Sequence, residues 1–562
     1  MFDPRAVFLG PQGQNADLLE RLTLDGLRDH VHWRRGFHPE DPDAVDPFRQ
    51  LEPAHLQTRA RFETYHRRLL ARLKGSIPSH SPRYLAHMMG DTLLPAQVGY
   101  AAAMLYNPNN VATEGSPVTT ELEREVAADL AGLLGFDPAK AFGHLCGGGT
   151  VANLEALWVL RNLALRPLAA GRPEDLGRRD AESLAALPQS FSNGAPPKPF
   201  AVLAPVTAHY SWIKAMDLLG LGRENLVAVA VDEGLRMDLG DLEAQLDRLA
   251  AEDRPVLACI GVVGTTEGGG VDPVDGILAV RERYRARHGR WFLLHLDAAY
   301  GGYARALLRN EDGSLRSLEQ VREQLPEATE SFHRAFARMG EADSITVDPH
   351  KLGFVPYPAG ALVLRHAAMR EAIGCHAAYL NAADPSHLGS FILEGSKPGA
   401  AAAACWMAHR VVPLDHTGYG VILAESFRSA HGLAELLTHA DFGGARCEVL
   451  QPPDLDVLLY AFGPGGRATL EAVNALTDRV LAALPSNGSG PFALTSTWVR
   501  PEELGGAMIP FLARLGVDAE EWKPGTGLRL VRSALMTPFV ADPAVKAFYR
   551  GRLVTTLRTV LS

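Results

Sequence analysis

Ser344-Ile345-Thr346-Val347-Asp348-Pro349-His350-Lys351-Leu352-Gly353 is the stretch on which the reading of this chain turns. The β-branched run Ile345 to Val347 reads as a short buried strand, and Asp-Pro ends it because proline fixes φ and brings no N–H to the ladder. His350 and Lys351 are thereby delivered to the C-terminal end of a strand, the edge at which open α/β sheets bind ligands. A lysine at the rim of a packed core is expected to be desolvated enough to lose its proton and serve as an amine nucleophile. A lone Pro-His-Lys reads better as a surface loop, so its neighbours elsewhere in the chain decide the matter.

Three more strand-like runs end in polar groups. Phe200 to Val206 leads into Ala208-His209-Tyr210-Ser211-Trp212, Val256 to Val263 into Gly264-Thr265-Thr266, and Trp291 to Leu296 into Asp297-Ala298-Ala299-Tyr300. Further strands are expected at Leu226 to Val231 and Ala361 to Leu364. Helical patterns at Ser211 to Leu219, Asp241 to Ala251 and Val274 to His288 separate them. Continuous apolar strands alternating with helices predict an α/β fold with a mostly parallel sheet covered on both faces. His209, Thr266, Asp297 and Lys351 then emerge along one edge. An aspartate at the end of a buried strand needs a cation or a donor beside it, and Ala298 and Ala299 leave room for a flat ring.

Gly147-Gly148-Gly149-Thr150 opens a helix predicted over Thr150 to Arg161. Glycines let backbone N–H groups approach an anion at a helix N-terminus. The spacing is neither a Rossmann fingerprint nor a P-loop, and no clear strand precedes it. A zinc site built from His209, His295 and His350 lacks any local pairing at ligand spacing, so no metal is expected.

The chain has 562 residues, enough for two or three domains. Its net charge of −10 gives no basic surface for nucleic acid. Five scattered cysteines without a CxxC pair suit a reducing, cytoplasmic compartment. Met1 to Leu19 shows no signal-peptide pattern, and no apolar run is long enough for a membrane span.

Residues 1–110 show helical patterns such as Pro53 to Leu73 but no strands, as expected of a segment that wraps another domain or a partner subunit. Residues 111–412 form the large domain. It begins with a helix over Thr119 to Leu134, for which Thr120 and Glu123 suggest a capping box, and Pro173 to Lys198 reads as a surface excursion. Residues 413–562 read as a smaller α+β domain: a helix over Tyr419 to His439, four strands, and a last helix capped by Asp542-Pro543.

The order Gly-Gly-Thr, His, Gly-Thr-Thr, Asp-Ala-Ala-Tyr and Pro-His-Lys resembles the pyridoxal-phosphate-dependent group II amino-acid decarboxylases. Longer strings are similar to the bacterial tyrosine decarboxylases of that group: NPNNVATEGSPVTT (107–120), GTVANLEALWVLRN (149–162), HYSWIKAMDLLG (209–220), DPHKLGFVPYPAG (348–360) and EGSK (394–397). Cys146-Gly147 stands where small hydroxylated residues are expected. The resemblance implies the aminotransferase-like fold type I, with pyridoxal 5'-phosphate as cofactor, in a homodimer with the site at the subunit interface. It implies that Lys351 carries the cofactor, Asp297 pairs with the pyridine nitrogen, His209 stacks on one ring face and Ala299 lies against the other. Thr266 is implied near the ring substituents. Gly148, Gly149, Thr150 and His350 correspond to the phosphate cradle, which Ser396 reaches from the partner subunit. Tyr379, in a segment that closes over the site, is the implied proton donor. Tyr84, His87 and Met88 resemble the pocket-lining segment, and Ser533 is expected to approach the substrate.

An aminotransferase or an oxidative deaminase would need the same lysine and aspartate, but no arginine clamp for an α-carboxylate is evident. Intact Lys351, Asp297 and His209 count against a non-catalytic binding paralogue. Decarboxylation of an aromatic L-amino acid is the expected activity, tyrosine first, with DOPA and phenylalanine next. An acidic substrate, glutamate or aspartate, would require a basic residue in the pocket.

Overall fold

The computed structural model describes residues 2–187, 198–375, 387–540 and 542–562. Its centre is a seven-stranded sheet of β1 (Phe142–Cys146), β2 (Ala201–Pro205), β3 (Leu226–Val229), β4 (Val256–Val262), β5 (Leu293–Asp297), β6 (Ser344–Val347) and β7 (Gly360–Leu364). Their spatial order is β1-β7-β6-β5-β4-β2-β3. The β3-β2-β4-β5-β6 run is parallel and β7 runs against both of its neighbours. This is the predicted mostly parallel α/β sheet.

Alternate strand residues feed two different cores. Ala201, Leu203, Cys259, Leu294 and Ile345 pack on one face with residues of the helices Leu239–Ala251, Val274–His288 and Tyr419–His439. Val202, Ala204, Ile260, Leu293 and Leu362 pack on the other with the helix Ser211–Leu218 and the long helix that follows β1. Burial on both faces is why these strands read as unbroken apolar runs.

β1 departs from the sequence reading, because the glycine turn is preceded by a strand after all. It was hidden by Gly143 and by His144, a polar residue in a fully buried strand. His144 is satisfied inside the protein: its Nε2 lies 2.7 Å from Glu155 Oε1 and its Nδ1 lies 2.9 Å from the Leu145 carbonyl.

The N-terminal part contributes helices α1 (Ala16–Phe37), α2 (Pro53–Leu73) and α3 (Leu94–Met104). Of α1 only His30 is buried, and of α2 nothing is. Leu93 N–H donates to the Phe354 carbonyl at 2.8 Å, so the chain entering α3 is tied to the Lys351 loop. Helix α4 (Pro117–Leu134) starts earlier than predicted, at a proline in the first turn. Thr120 and Glu123 therefore sit inside the helix and form no capping box. Glu123 is buried instead, accepts from Asn110 Nδ2 at 2.7 Å and pairs with Lys397. Helix α5 (Gly149–Ala169) opens at the glycine turn. Within the region predicted as a surface excursion, Ala181 and Leu184 are buried.

The C-terminal part carries a second, antiparallel sheet of β8 (Ala445–Val449), β9 (Val457–Pro464), β10 (Thr495–Val499) and β11 (Leu528–Ala534), in the order β10-β11-β9-β8. The last helix, Pro543–Leu561, is capped by Asp542, which accepts from the N–H groups of Ala544 and Val545. The two sheets meet where Tyr300 donates to Asp456 Oδ1 at 2.5 Å and where Arg532 donates to the carbonyls of Ala86, Thr266 and Glu267.

Candidate active site

The ends of β2, β4, β5 and β6 and the turn before α5 enclose a cavity of about 320 Å³. Gly148, Gly149, Thr150, His209, Thr266, Asp297, Ala299, His350 and Lys351 all line it, together with Asn153, Tyr300, Asp348 and Tyr357. Nine of the residues singled out from the sequence are thus gathered around one space.

The glycine turn is shaped by what it must avoid. Gly148 has φ +151°, a conformation that side chains rarely adopt. A Cβ on Gly149 would stand 2.9 Å from Asp348 Oδ2 and 3.1 Å from Ala299 Cβ. Gly148 offers no side-chain cap to α5, and while the Val151 and Ala152 N–H groups donate to the Gly148 carbonyl, those of Gly149 and Thr150, at the cavity wall, remain as anion donors.

Asp297 ends β5 with 5 % of its surface exposed. Its Oδ2 accepts from Asn153 Nδ2 at 2.8 Å and from Trp212 Nε1 at 3.1 Å. Two neutral N–H donors on one oxygen satisfy a buried carboxylate without neutralising it, and leave Oδ1 with only a long contact of 3.4 Å from the Ala299 N–H. The same Asn153 amide donates to Ser211 Oγ at 3.0 Å, and Ser211 Oγ lies 2.9 Å from His209 Nδ1. The Ser211 N–H also donates to His209 Nδ1, at 3.3 Å, which makes that nitrogen the acceptor and places the ring proton on Nε2. Burial pushes the His209 pKa down, against the raising pull of Asp297.

Lys351 differs from the sequence expectation. Burial is the largest influence and lowers its pKa, but the carboxylates of Asp348 and Asp297 together outweigh it and hold the amine above its ordinary value. Its Nζ lies 3.1 Å from Asp348 Oδ2. His350, whose pKa burial also lowers, stacks on Tyr357 with ring centroids 4.0 Å apart.

The remaining predicted residues lie elsewhere. Ser396 accepts from Asn109 Nδ2 at 2.9 Å, away from the cavity wall of its own chain. Tyr84 is buried beside β11, near Arg532. His87 and Met88 follow it without reaching the cavity. Ser533 is buried with its Oγ 3.2 Å from the Tyr460 hydroxyl. Tyr379 lies outside the described residues. Nor do His209, His295 and His350 converge: among the described residues no group of His, Cys, Asp or Glu is placed to hold a metal ion.

Sequence reasoning missed Asn153, Trp212, Ser211 and the role of Asp348. Two signals were available. Asn153 is one turn along α5 from Gly149, on the same helix face, and a buried tryptophan N–H needs an acceptor.

The arrangement suits pyridoxal phosphate. The Gly149 and Thr150 N–H groups fit a phosphate, an amine and a carboxylate line the same cavity, and buried atoms without partners (Asn153 Oδ1, Asp348 Oδ1, His350 Nδ1) stand on its lining residues. Comparison with known proteins agrees. Residues 53–321 match the pyridoxal-dependent decarboxylase conserved domain, and residues 435–561 match the tyrosine decarboxylase C-terminal family. The L-tyrosine decarboxylase of Enterococcus faecium is 36% identical, with 100% of this chain and 99% of that one covered. That of Levilactobacillus brevis is 35% identical over 96% of this chain and 93% of its own. The crystal structure of Oryza sativa TDC with PLP and tryptamine superposes with a TM-score of 0.66 at 18% identity, covering 100% of both chains. Mouse CSAD gives 0.64 at 19% identity, over 98% of this chain and 99% of that one. The chain belongs to the pyridoxal-dependent decarboxylase family and is a carboxy-lyase that works with pyridoxal 5'-phosphate on a small amino-acid substrate.

Proposed function

We propose that this chain converts L-tyrosine to tyramine and carbon dioxide, with DOPA and phenylalanine as the next-best substrates. The observation that carries this reading is likeness to curated L-tyrosine decarboxylases at 33% to 36% identity along essentially the whole chain, the C-terminal part included. An aspartate 1-decarboxylase of Aliivibrio fischeri is 30% identical, but over 69% of this chain. An acidic side chain would need a free cation. Arg532, beside Thr266, already gives its nitrogens to three backbone carbonyls.

Pyridoxal phosphate, when bound, supplies an electron sink for the pair left by departing carbon dioxide. Lys351 would hold the cofactor through its amine. Asp297, steadied by Asn153 and Trp212, keeps a proton on the pyridine nitrogen. His209 and Ala299 would bracket the ring from either face and Thr266 would stand near its substituents, as all three line the cavity. The N–H groups of Gly148, Gly149 and Thr150, with His350, hold the phosphate. Tyr379 delivers the proton to Cα.

The working unit is a homodimer with Ser396 reaching the partner's phosphate cradle. Its support is the uncovered apolar surface of α1 and α2, where Phe62 is 74% exposed. All five cysteines are free, which supports a cytoplasmic location.

The test is a panel of L-amino acids assayed with added cofactor. kcat/KM for tyrosine should exceed that for aspartate and glutamate by more than about a thousandfold, since a pocket built for a phenol rejects a misfit strongly. Turnover of an acidic substrate alone would overturn the substrate and keep the chemistry.

A further inference from the structure

Asp348 was read from the sequence as the residue that ends a strand, yet its carboxylate is built into the site. Its side chain is 2% exposed, with Oδ2 3.1 Å from Lys351 Nζ and 3.4 Å from His350 Nε2. Its Oδ1 is buried and has no hydrogen-bond partner. Two glycines make room for it. A Cβ on Gly149 would come within 2.9 Å of Oδ2, and one on Gly360 within 2.8 Å of Oδ1. The fold has therefore cleared space on two elements for a carboxylate directly behind the phosphate turn, where a second negative charge is costly unless a cation is beside it.

We propose that Asp348 is a positioning residue that holds Lys351 as an ammonium beside the glycine turn until the cofactor arrives, so that this pair sets the pH at which Lys351 takes up pyridoxal phosphate. The proposal rests on the reading of Lys351 as the cofactor lysine. Only the neutral amine is a nucleophile. The proton must pass from the ammonium to water, which Lys351 reaches through a side chain that is 25% exposed. The groups that face Lys351 are Asp348, His350 and Tyr357 on its own loop, Asp297 at the end of β5 and His209 after β2. Among these Asp348 is the nearest carboxylate, and it pulls hardest towards the charged form, ahead of Asp297.

The experiment titrates Lys351 in cofactor-free protein by brief competitive acetylation with acetic anhydride from pH 7 to 12, read by peptide mass spectrometry against the exposed Lys140. Asp348→Asn should lower the Lys351 midpoint by a unit or more, so that at pH 7 the amine is modified about tenfold faster than in the wild type. Cofactor uptake at pH 7, followed by absorbance, should quicken in proportion. Asp297→Asn should move the midpoint less. Asp348→Ser, which removes the carboxylate and shortens the side chain, should act in the same direction as the isosteric Asp348→Asn, and circular dichroism reports whether each variant is folded. An unchanged midpoint in the folded Asp348 variants, or a larger shift in Asp297→Asn, overturns the proposal. Because no substrate is present, this outcome is independent of whether tyrosine is decarboxylated.

Discussion

Asn153 shows how much one amide can govern. It donates to Asp297 and to Ser211, which in turn contacts His209, so a single side chain orients both the carboxylate and the ring proposed to bracket the cofactor. A hydrogen bond to a charged group contributes about 1.5–3 kcal/mol. Asn153→Ala and Trp212→Phe should each weaken cofactor binding roughly tenfold to a hundredfold. Equilibrium dialysis at fixed pH reads this directly, and unchanged affinity in both variants would remove Asp297 from the role assigned to it. A different residue governs acid sensitivity. His295 is buried in β5, with Nδ1 2.8 Å from Ser344 Oγ, and burial pushes its pKa from 6.5 down to about 4. The unfolded chain binds this proton near pH 6.5 and the folded chain only near 4. The stability it contributes is therefore complete above pH 6.5 and lost as pH falls toward 4, a difference on the order of 3 kcal/mol. His295→Gln should flatten the fall in Tm between pH 6.5 and 4. An equally steep fall in the variant would place the acid sensitivity elsewhere.

At the scale of elements, the site depends on how closely the turn before α5 can approach β7. A Cβ on Gly360 would stand 2.4 Å from Gly148 Cα, a clash of backbone with side chain that no rotamer relieves. Gly360→Ala should cost at least about 1–3 kcal/mol, read as a lower Tm. Gly149→Ala should spare the fold more and the cofactor less, because its new methyl meets Asp348 and Ala299. Equal loss of Tm in the two variants would contradict this division. These elements also show what the sequence could and could not reveal. The strands β2 and β4 to β6 were legible because burial on both faces leaves an apolar run with no polar alternation. β1 was not, because its histidine is satisfied by the Leu145 carbonyl and by Glu155, the latter eleven residues on and on another element. The start of α4 was misread because Thr120 and Glu123 have the spacing of a capping box, while Glu123 is in fact held by Asn110 and Lys397 from distant parts of the chain. Of the site, the strand-end residues could be read one by one. The donors that hold them could not, since Trp212 reaches Asp297 across 85 positions. The charge state of Lys351 was misjudged for the same reason: burial was foreseeable, but the closeness of two carboxylates was not.

For the whole molecule, the N-terminal helices are the anomaly. Phe48, Leu51 and Phe62 are 83%, 70% and 74% exposed, and large exposed apolar side chains are what a subunit interface would cover. Sedimentation equilibrium should return twice the chain mass. Phe62→Asp combined with Leu69→Asp should shift the protein toward monomer and reduce activity with it. A fully active monomer would contradict the shared site. The central claim, that the cavity around Lys351 and Asp297 removes carbon dioxide from an aromatic amino acid, is tested most directly with carboxyl-labelled L-tyrosine. Wild-type protein with added pyridoxal phosphate is predicted to release labelled carbon dioxide and tyramine in equal amounts, and Lys351→Ala to release neither. Formation of ammonia and an aldehyde instead, or release that survives the loss of Lys351, would contradict it.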